Sequence, residues 1–325
     1  EPVEVTGSGS LVKRPLSFFD EVLPKLGVHC TSNQGHLPLH INGPLKPADI
    51  EVDGSLSSQF LTGLLFAYSV AGAKDVTIRV NQLNSKPYID LTLHIMSEFG
   101  LPTPKNNDYK EFIFSNGQIQ KSTSKPFNFT IESDWSGAAF LLVAGAVAGD
   151  IVVKGLDVFS MQADKNILQP LMQAEAIMSI TENEISIKRN QLRPFHFNAT
   201  DCPDLFPPLA ALAAHCNGTS VIEGVHRLTH KESNRAETLK EVFGKMGVDI
   251  QLQDDLMVIR GGSLIKGTQV SSHHDHRIAM ACGVAGLTCT GEMEITNAEA
   301  VNKSYPQFWD HLKKLKAEVS LKTIE

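Results

Sequence analysis

Two interleaved helix series recur along the chain with one period, and that repeat limits what the chain can fold into more than any other feature. Members of the first series open at Ser57-Ser58-Gln59, Asp134-Trp135-Ser136, Pro203-Asp204 and Asp275-His276-Arg277. Each opening is a polar cluster followed by an apolar helix, a turn signal and a β-rich run. With Ser57, Asp134, Asp204 and His276 as markers, the offsets are 77, 70 and 72 residues. The second series is amphipathic and covers Phe18 to Gly27, Leu91 to Gly100, Ile167 to Ala174, Ala236 to Gly247 and Phe308 to Lys316. Its elbows, at Gly27, Gly100, Ala174, Gly247 and Lys316, are spaced 73, 74, 73 and 69 residues apart. Leu239, Val242, Phe243 and Met246 carry the apolar stripe of such a helix at i, i+3, i+4 and i+7.

One coincidence of this kind arises by chance; two series sharing a period mark an internal repeat. The period exceeds that of the common solenoids, so each unit is expected to be a small α/β module. Alternation of strands and helices throughout implies an α/β architecture. The first helix type, apolar nearly all round, is expected inside a domain, and the second outside with one wet face.

At 325 residues the chain exceeds one ordinary core, which favours two domains. A net charge of −7 argues against a general nucleic-acid binder, which needs a basic face. It leaves room for small anionic substrates, because a few clustered cations dominate one cleft locally. Five cysteines without Cys-x-x-Cys spacing fit neither a disulfide scaffold nor a zinc knuckle, and point to a reducing cytoplasm. No stretch resembles a signal peptide, and the small-apolar run around Ala138 to Gly149 is shorter than the ~20 residues of a membrane span. The expectation is a cytoplasmic protein with neither nucleic acid nor membrane as partner.

The apolar bodies of the first helix series read as core, but their N-terminal ends do not. Ser, Asp, His and Arg at helix starts cap the backbone and favour anions. The densest polar cluster is Thr229-His230-Lys231-Glu232-Ser233-Asn234-Arg235. If helical, it puts Lys231 and Arg235 on one face at i, i+4, with Glu232 at i, i+3 from Arg235. A carboxylate beside two cations can act as acid or base next to an anionic substrate, or the group is an ordinary solvated charge pair. Asp275-His276-Arg277, preceded by His273 and His274, invites a metal reading. Adjacent residues cannot all converge on one ion, however, and Arg277 as a bidentate carboxylate or phosphate clamp is better motivated; no metal is expected. Ser57, Ser58 and Gln59 suit a phosphate or sugar-like hydroxyls, and equally suit plain capping. Asp204, after Pro203 at a helix start, has capping as its default. Arg14 and Lys303 are single basic features. No P-loop, G-x-S-x-G or dinucleotide fingerprint is present.

Taken in order, these motifs resemble the EPSP synthase family, within the wider enolpyruvyl transferase group. The matching stretches are Arg14-Pro15, Asp53 to Phe60 (Asp-Gly-Ser-Leu-Ser-Ser-Gln-Phe), Ser85 to Ile89 (Ser-Lys-Pro-Tyr-Ile) and Pro203-Asp204. They continue with Lys231 to Arg235, Asp275 to Met280 and Asn302 to Pro306. The resemblance runs from end to end. It implies a two-lobed enolpyruvyl-transferase-like fold of repeated βαβαββ units, an inside-out α/β barrel, with lobes at residues 1–131 and 132–325. Such a fold has six units; the five outer and four inner helices counted here lead to the expectation that the chain begins late in the second unit, lacking the family's N-terminal substrate motif.

The activity implied is transfer of the enolpyruvyl group of phosphoenolpyruvate to the 5-hydroxyl of shikimate 3-phosphate, by a monomer without a cofactor. Carried over residue by residue, Ser57, Ser58, Ser85 and Tyr88 would hold shikimate 3-phosphate, with Gln59 between the substrates. Asp204 and Lys231 would meet the acceptor's hydroxyl region, with Arg227 nearby. Arg14, Arg235, Arg277 and Lys303 would bind phosphoenolpyruvate. Two acid/base groups are needed, and Asp204, towards the hydroxyl, and Glu232, towards the methylene, are the candidates, with Lys231 and His276 beside them. Two alternatives stand beside this: the sister transferase acting on UDP-N-acetylglucosamine, and a catalytically incompetent fragment.

Overall fold

The computed structural model describes residues 1–116, 128–182, 184–229 and 231–322. Two compact units are present, Glu1–Thr130 with Met161–Ala163, and Ile131–Ser160 with Asp164–Glu325. The first contains β1 (Pro2–Val5), α1 (Ser17–Val22), β2 (His29–Asn33), β3 (His36–Asn42), β4 (Ile50–Asp53), α2 (Ser58–Val70), β5 (Val76–Asn81), α3 (Lys86–Glu98), β6 (Lys105–Asn107) and β7 (Glu111–Phe114). The second contains α4 (Trp135–Ala148), β8 (Ile151–Lys154), α5 (Leu168–Gln173), β9 (Ile177–Ile180), β10 (Glu184–Lys188), β11 (His196–Asn198) and α6 (Phe206–His215). It goes on with β12 (Gly218–Glu223), α7 (Arg235–Lys245), β13 (Asp249–Gln253), β14 (Leu256–Gly261), β15 (Gln269–Ser271), α8 (His276–Gly286), β16 (Glu294–Thr296) and α9 (Phe308–Lys314).

The sequence repeat is a repeat of sheet topology. Sheet β4-β5-β7-β6 and sheet β11-β12-β14-β13 have the same order, with the first pair parallel and the others antiparallel. Sheets β1-β3-β2 and β8-β10-β9 repeat the last three positions, and β15-β16 repeats the parallel first pair. In each complete module the inner helix connects the two parallel strands, the crossover that parallel pairing demands.

Inner and outer helices differ as their sequences require. In α4, eleven residues from Trp135 to Val147 are buried, and its many small side chains let strands approach closely. A Cβ on Gly145 would lie 2.4 Å from the Ile187 side chain on β10 and 2.7 Å from Ile151 on β8. In α7, Leu239, Val242 and Phe243 are buried while Lys240 and Glu241 face water. The elbows take left-handed backbone at Gly27, Gly100, Gly247 and Lys316, φ 74°, 68°, 88° and 72°. At the third elbow the left-handed residue is Glu175, φ 59°, one place beyond the expected Ala174.

Inner helices α4, α6 and α8 pack against one another in the second unit, and Arg235 joins the starts of α6 and α8 by bonding both Asp204 and Asp275. In the first unit, α2 and α3 pack together over a core that includes Leu61, Leu65, Ile78, Met96, Phe112 and Phe114.

Candidate active site

Three helix starts in the second unit carry acids that do different work. Asp134 caps α4, accepting from the Ser136 and Gly137 backbone N–H groups at 2.9 Å. Asp275 caps α8 through the Arg277 N–H at 3.0 Å. Asp204 departs from the expected cap: it lies in a 3-10 turn, Pro203–Leu205, ahead of α6. The first turn of α6 carries Pro207 and Pro208, which have no N–H to offer a capping side chain. Its carboxylate turns instead to cations, accepting from Arg235 at 2.7 Å and pairing with Arg277 at 3.1 Å and Lys231 at 3.4 Å.

Arg235 stands at the centre. Its guanidinium donates to Asp275 at 2.8 Å, to Asp204 at 2.7 Å and to Glu232 at 2.5 Å, and is 1% exposed. Ser233 adds a hydroxyl bond to Asp275 at 3.1 Å. Lys231 and Glu232 are not helical, since α7 begins only at Arg235; the expected shared helix face is replaced by a loop that folds both over the helix start. The expected i, i+3 pair of Glu232 with Arg235 forms nonetheless. His230, part of the same sequence cluster, lies outside the described residues.

The electrostatics follow from this packing. Burial works against the Asp204 charge, but Arg277, Lys231 and Arg235 outweigh it and hold the carboxyl well below its ordinary value. Burial likewise opposes the Asp275 charge, and Arg235 overrides it. The Lys231 ammonium is lowered, chiefly by burial, with Asp204 pulling it back up and Arg235 and Arg277 adding to the fall. His276 is pushed down to about 4 by burial and then by the Arg277 charge, so it is a neutral imidazole near neutral pH. Its Nδ1 lies 3.8 Å from Asp275 and has no hydrogen-bond partner among the described residues.

Donor atoms of Glu232, Asp275 and His276 come within 4.8 Å of one another, close enough to be tested as a metal set. Arg235 is bonded to two of the three, and its fixed charge would repel a cation placed among them. The geometry favours anions, held by cations that can exchange one carboxylate for another.

The remaining expected residues fall in two places. Lys303 is exposed and donates to the backbone carbonyl of His274 at 2.6 Å, one residue before Asp275. Arg227 donates to the Thr200 carbonyl at 3.4 Å. In the first unit, Ser57 caps α2 by accepting from the Gln59 N–H at 3.2 Å, Ser58 is 7% exposed, and Gln59 faces water. Ser85 stands at the α3 cap position with φ 57° and is 3% exposed; Tyr88 is half-buried on the first turn of that helix. Arg14 closes the 3-10 turn Gly9–Lys13. Asn84, which no sequence pattern singled out, ties the two serine-bearing loops together, its side chain donating to the Ser55 carbonyl at 2.9 Å. A Cβ on Gly54 would come within 2.9 Å of Leu83 Cα, which is how the loops approach so closely.

A cavity of about 500 Å³ beside β8 and α9, lined by residues such as Ile151, Val153, Tyr305 and Lys314, shares no residue with the charge cluster. Among the described residues no helix is long and apolar enough to cross a membrane.

Comparison with known proteins gives the family. A family model described as EPSP synthase (3-phosphoshikimate 1-carboxyvinyltransferase) matches residues 1–312. The 3-phosphoshikimate 1-carboxyvinyltransferase of Clostridium novyi (strain NT) is 36% identical over 313 residues, 96% of this chain and 71% of that protein. Its namesake in Clostridium kluyveri is 37% identical over 319 residues, 98% of this chain and 74% of that protein. The solved structure of EPSP synthase from Acinetobacter baumannii superposes with a TM-score of 0.75 at 26% identity, over 96% of this chain and 73% of that one. The enolpyruvyl transferase NikO from Streptomyces tendae, 18% identical, has a TM-score of 0.70 over 98% of this chain and 73% of its own, a likeness of fold alone. With its α/β modules arranged in the enolpyruvyl transferase fold, the chain belongs to the EPSP synthase family.

Proposed function

We propose that the protein transfers the enolpyruvyl group of phosphoenolpyruvate to the 5-hydroxyl of shikimate 3-phosphate and releases phosphate. The observation that carries this is the cluster of Lys231, Arg235 and Arg277 around Asp204, Glu232 and Asp275 at adjoining helix starts. Cations are needed to hold two polyanions against their repulsion, and two carboxylates are needed to move two protons.

In the first step the acceptor hydroxyl adds to C2 of phosphoenolpyruvate, its proton passing to Asp204, while Glu232 in its acid form protonates the C3 methylene to a methyl. In the second, the bond from C2 to the phosphate oxygen breaks as C3 returns a proton to Glu232 and Asp204 passes the hydroxyl proton to the departing phosphate, leaving the enol ether and hydrogen phosphate. Asp204, held ionised by three cations, is in the form that accepts a proton and gains basicity as those cations turn to the ligand, and Lys231 stands beside it to steady the hydroxyl. Glu232 pairs with Arg235 at 2.5 Å, which holds its carboxyl at the start of α7. His276, neutral and close to Glu232, is suited to polarise or relay rather than to carry charge. Arg277, Lys303, Arg235 and Arg14 are assigned to phosphoenolpyruvate, with Gln59 between the substrates. Arg235 would give up a carboxylate to do so, since its donors are occupied. Ser57, Ser58, Ser85, Tyr88 and Arg227 are assigned to shikimate 3-phosphate. The lobes are assigned to residues 1–131 and 132–325, a single copy is expected to act, and five free cysteines, four of them buried, suit a cytoplasmic protein.

Phosphate release from phosphoenolpyruvate, measured with shikimate 3-phosphate or UDP-N-acetylglucosamine as acceptor, tests the assignment. Release with the first acceptor only is the expected result; release with the nucleotide sugar only would move the protein to the sister activity.

A further inference from the structure

Asp164 is a buried carboxyl at the same end of the second unit for which the scheme above has no use. It lies in a 3-10 turn, Ala163–Ile167, and is 1% exposed. Its Oδ2 accepts from the Ser136 hydroxyl, on the first turn of α4, at 2.5 Å. Among the charged and titratable groups that act on it or feel it are Asp134 on α4, Cys202 and Asp204 ahead of α6, and Arg277 on α8. Arg277 therefore stands in the field of two carboxylates, Asp204 at 3.1 Å and Asp164. An ionised Asp164 adds one negative charge to those acting on Arg277, which a polyanionic ligand meets as repulsion.

We propose that Asp164 is a positioning residue that governs, through Arg277, how readily the site accepts an anion: neutral, it leaves Arg277 to the ligand, and ionised, it holds Arg277 back. The identity of that anion as phosphoenolpyruvate rests on the proposed function; the coupling itself does not. Burial and then the Asp204 charge push the Asp164 carboxyl up to about 6, against Arg277 and the Ser136 hydroxyl, so its charge changes within a mildly acidic range.

Calorimetric binding of phosphoenolpyruvate, and separately of inorganic phosphate, at pH 5 and pH 7.5 tests this on the protein and on Asp164→Asn. The variant reports the titration of the ligand alone. It should bind about three- to tenfold more tightly than the unaltered protein at pH 7.5 and within about twofold at pH 5. Ser136→Ala, which keeps Asp164 but removes a bond favouring its charged form, should move the weakening to higher pH. Parallel pH curves for the protein and Asp164→Asn overturn the proposal; so, if that variant does not fold, does an unmoved step in Ser136→Ala. A purely structural role would weaken binding at both pH values without shifting the step. Failure of the proposed function reads differently, as absent turnover with shikimate 3-phosphate while phosphate still binds with its pH step.

Discussion

The most heavily committed residue in the cluster is Arg235, and its neighbours are best understood through it. A guanidinium with 1% exposure is tolerable only because three carboxylates face its donors. Asp204 is also held by Lys231 and Arg277, Asp275 by the Arg277 N–H, and Glu232 pairs with Arg235 from three residues before it. In the proposed scheme Glu232 is the carboxylate that gives and takes back the methylene proton. Glu232→Gln keeps the shape and a hydrogen-bond acceptor for Arg235 while removing the titrating group. It should lower kcat by about a hundredfold or more and leave shikimate 3-phosphate binding mostly intact. Steady-state kinetics with direct acceptor binding check this, and an unchanged kcat would take Glu232 out of the proton transfers. The adjacency of Lys231, Glu232 and Arg235 is legible in the chain as a dense charge cluster. That Arg235 would be enclosed by Asp204 and Asp275 is not, because those partners lie 31 and 40 positions away and no local pattern couples them. Asp164 is hidden for the same reason, 28 positions from Ser136 in an unremarkable Met-Gln-Ala-Asp run.

At the scale of elements, glycine shows how much of the fold is local and how much is packing. Gly63 in α2 and Gly145 in α4 both sit inside helices, and helix propensity favours alanine by up to about 1 kcal/mol at either. Around Gly63 a Cβ would meet nothing within 4 Å. Around Gly145 it would press on Ile187 at 2.4 Å and Ile151 at 2.7 Å, side chains fixed in β10 and β8, and overpacking of that kind costs about 1–3 kcal/mol. The same substitution should therefore have opposite signs: Gly63→Ala raises stability by a few tenths to about 1 kcal/mol, and Gly145→Ala lowers it by about 1–2 kcal/mol. Urea unfolding of the two variants checks the contrast, and a gain in both would mean that β8 and β10 give way to the added methyl group. Periodicity reads the existence and order of these helices well, because apolar stripes and elbow glycines are local. It misplaces the third elbow, since Ala174 looks the smaller and better turn residue while the backbone turns at Glu175. It also treats Asp204 as a cap, since nothing in the sequence says that its side chain prefers cations to the backbone.

For the molecule as a whole, the buried charges of the second unit should fix how stability changes with acid. His276 is held neutral down to about 4 and His215 is lowered too, by burial first, with Nδ1 and Nε2 engaged by the Ala211 carbonyl and the Thr288 hydroxyl. As pH falls below about 6.5 the unfolded chain takes up protons that these folded imidazoles refuse, so their contribution to stability is full above that value and is lost progressively, for His276 down to about 4. Asp164 has the opposite sign. Its raised value means that the folded state takes up a proton first, so stability is regained as pH falls from about 6 towards the ordinary carboxyl range. Two histidines against one carboxyl leave a net loss, and His276 alone accounts for about 2 kcal/mol by pH 5. Trp135 and Trp309 both lie in the second unit and are buried, so tryptophan fluorescence during urea unfolding reads this unit alone. The urea midpoint should fall from pH 7 to pH 5. His276→Gln should flatten that fall, and Asp164→Asn, which removes the offsetting proton, should steepen it. Equal slopes in all three proteins would mean that neither group keeps a shifted affinity for protons in the folded chain, and would remove the electrostatic basis on which Asp164 is coupled to Arg277.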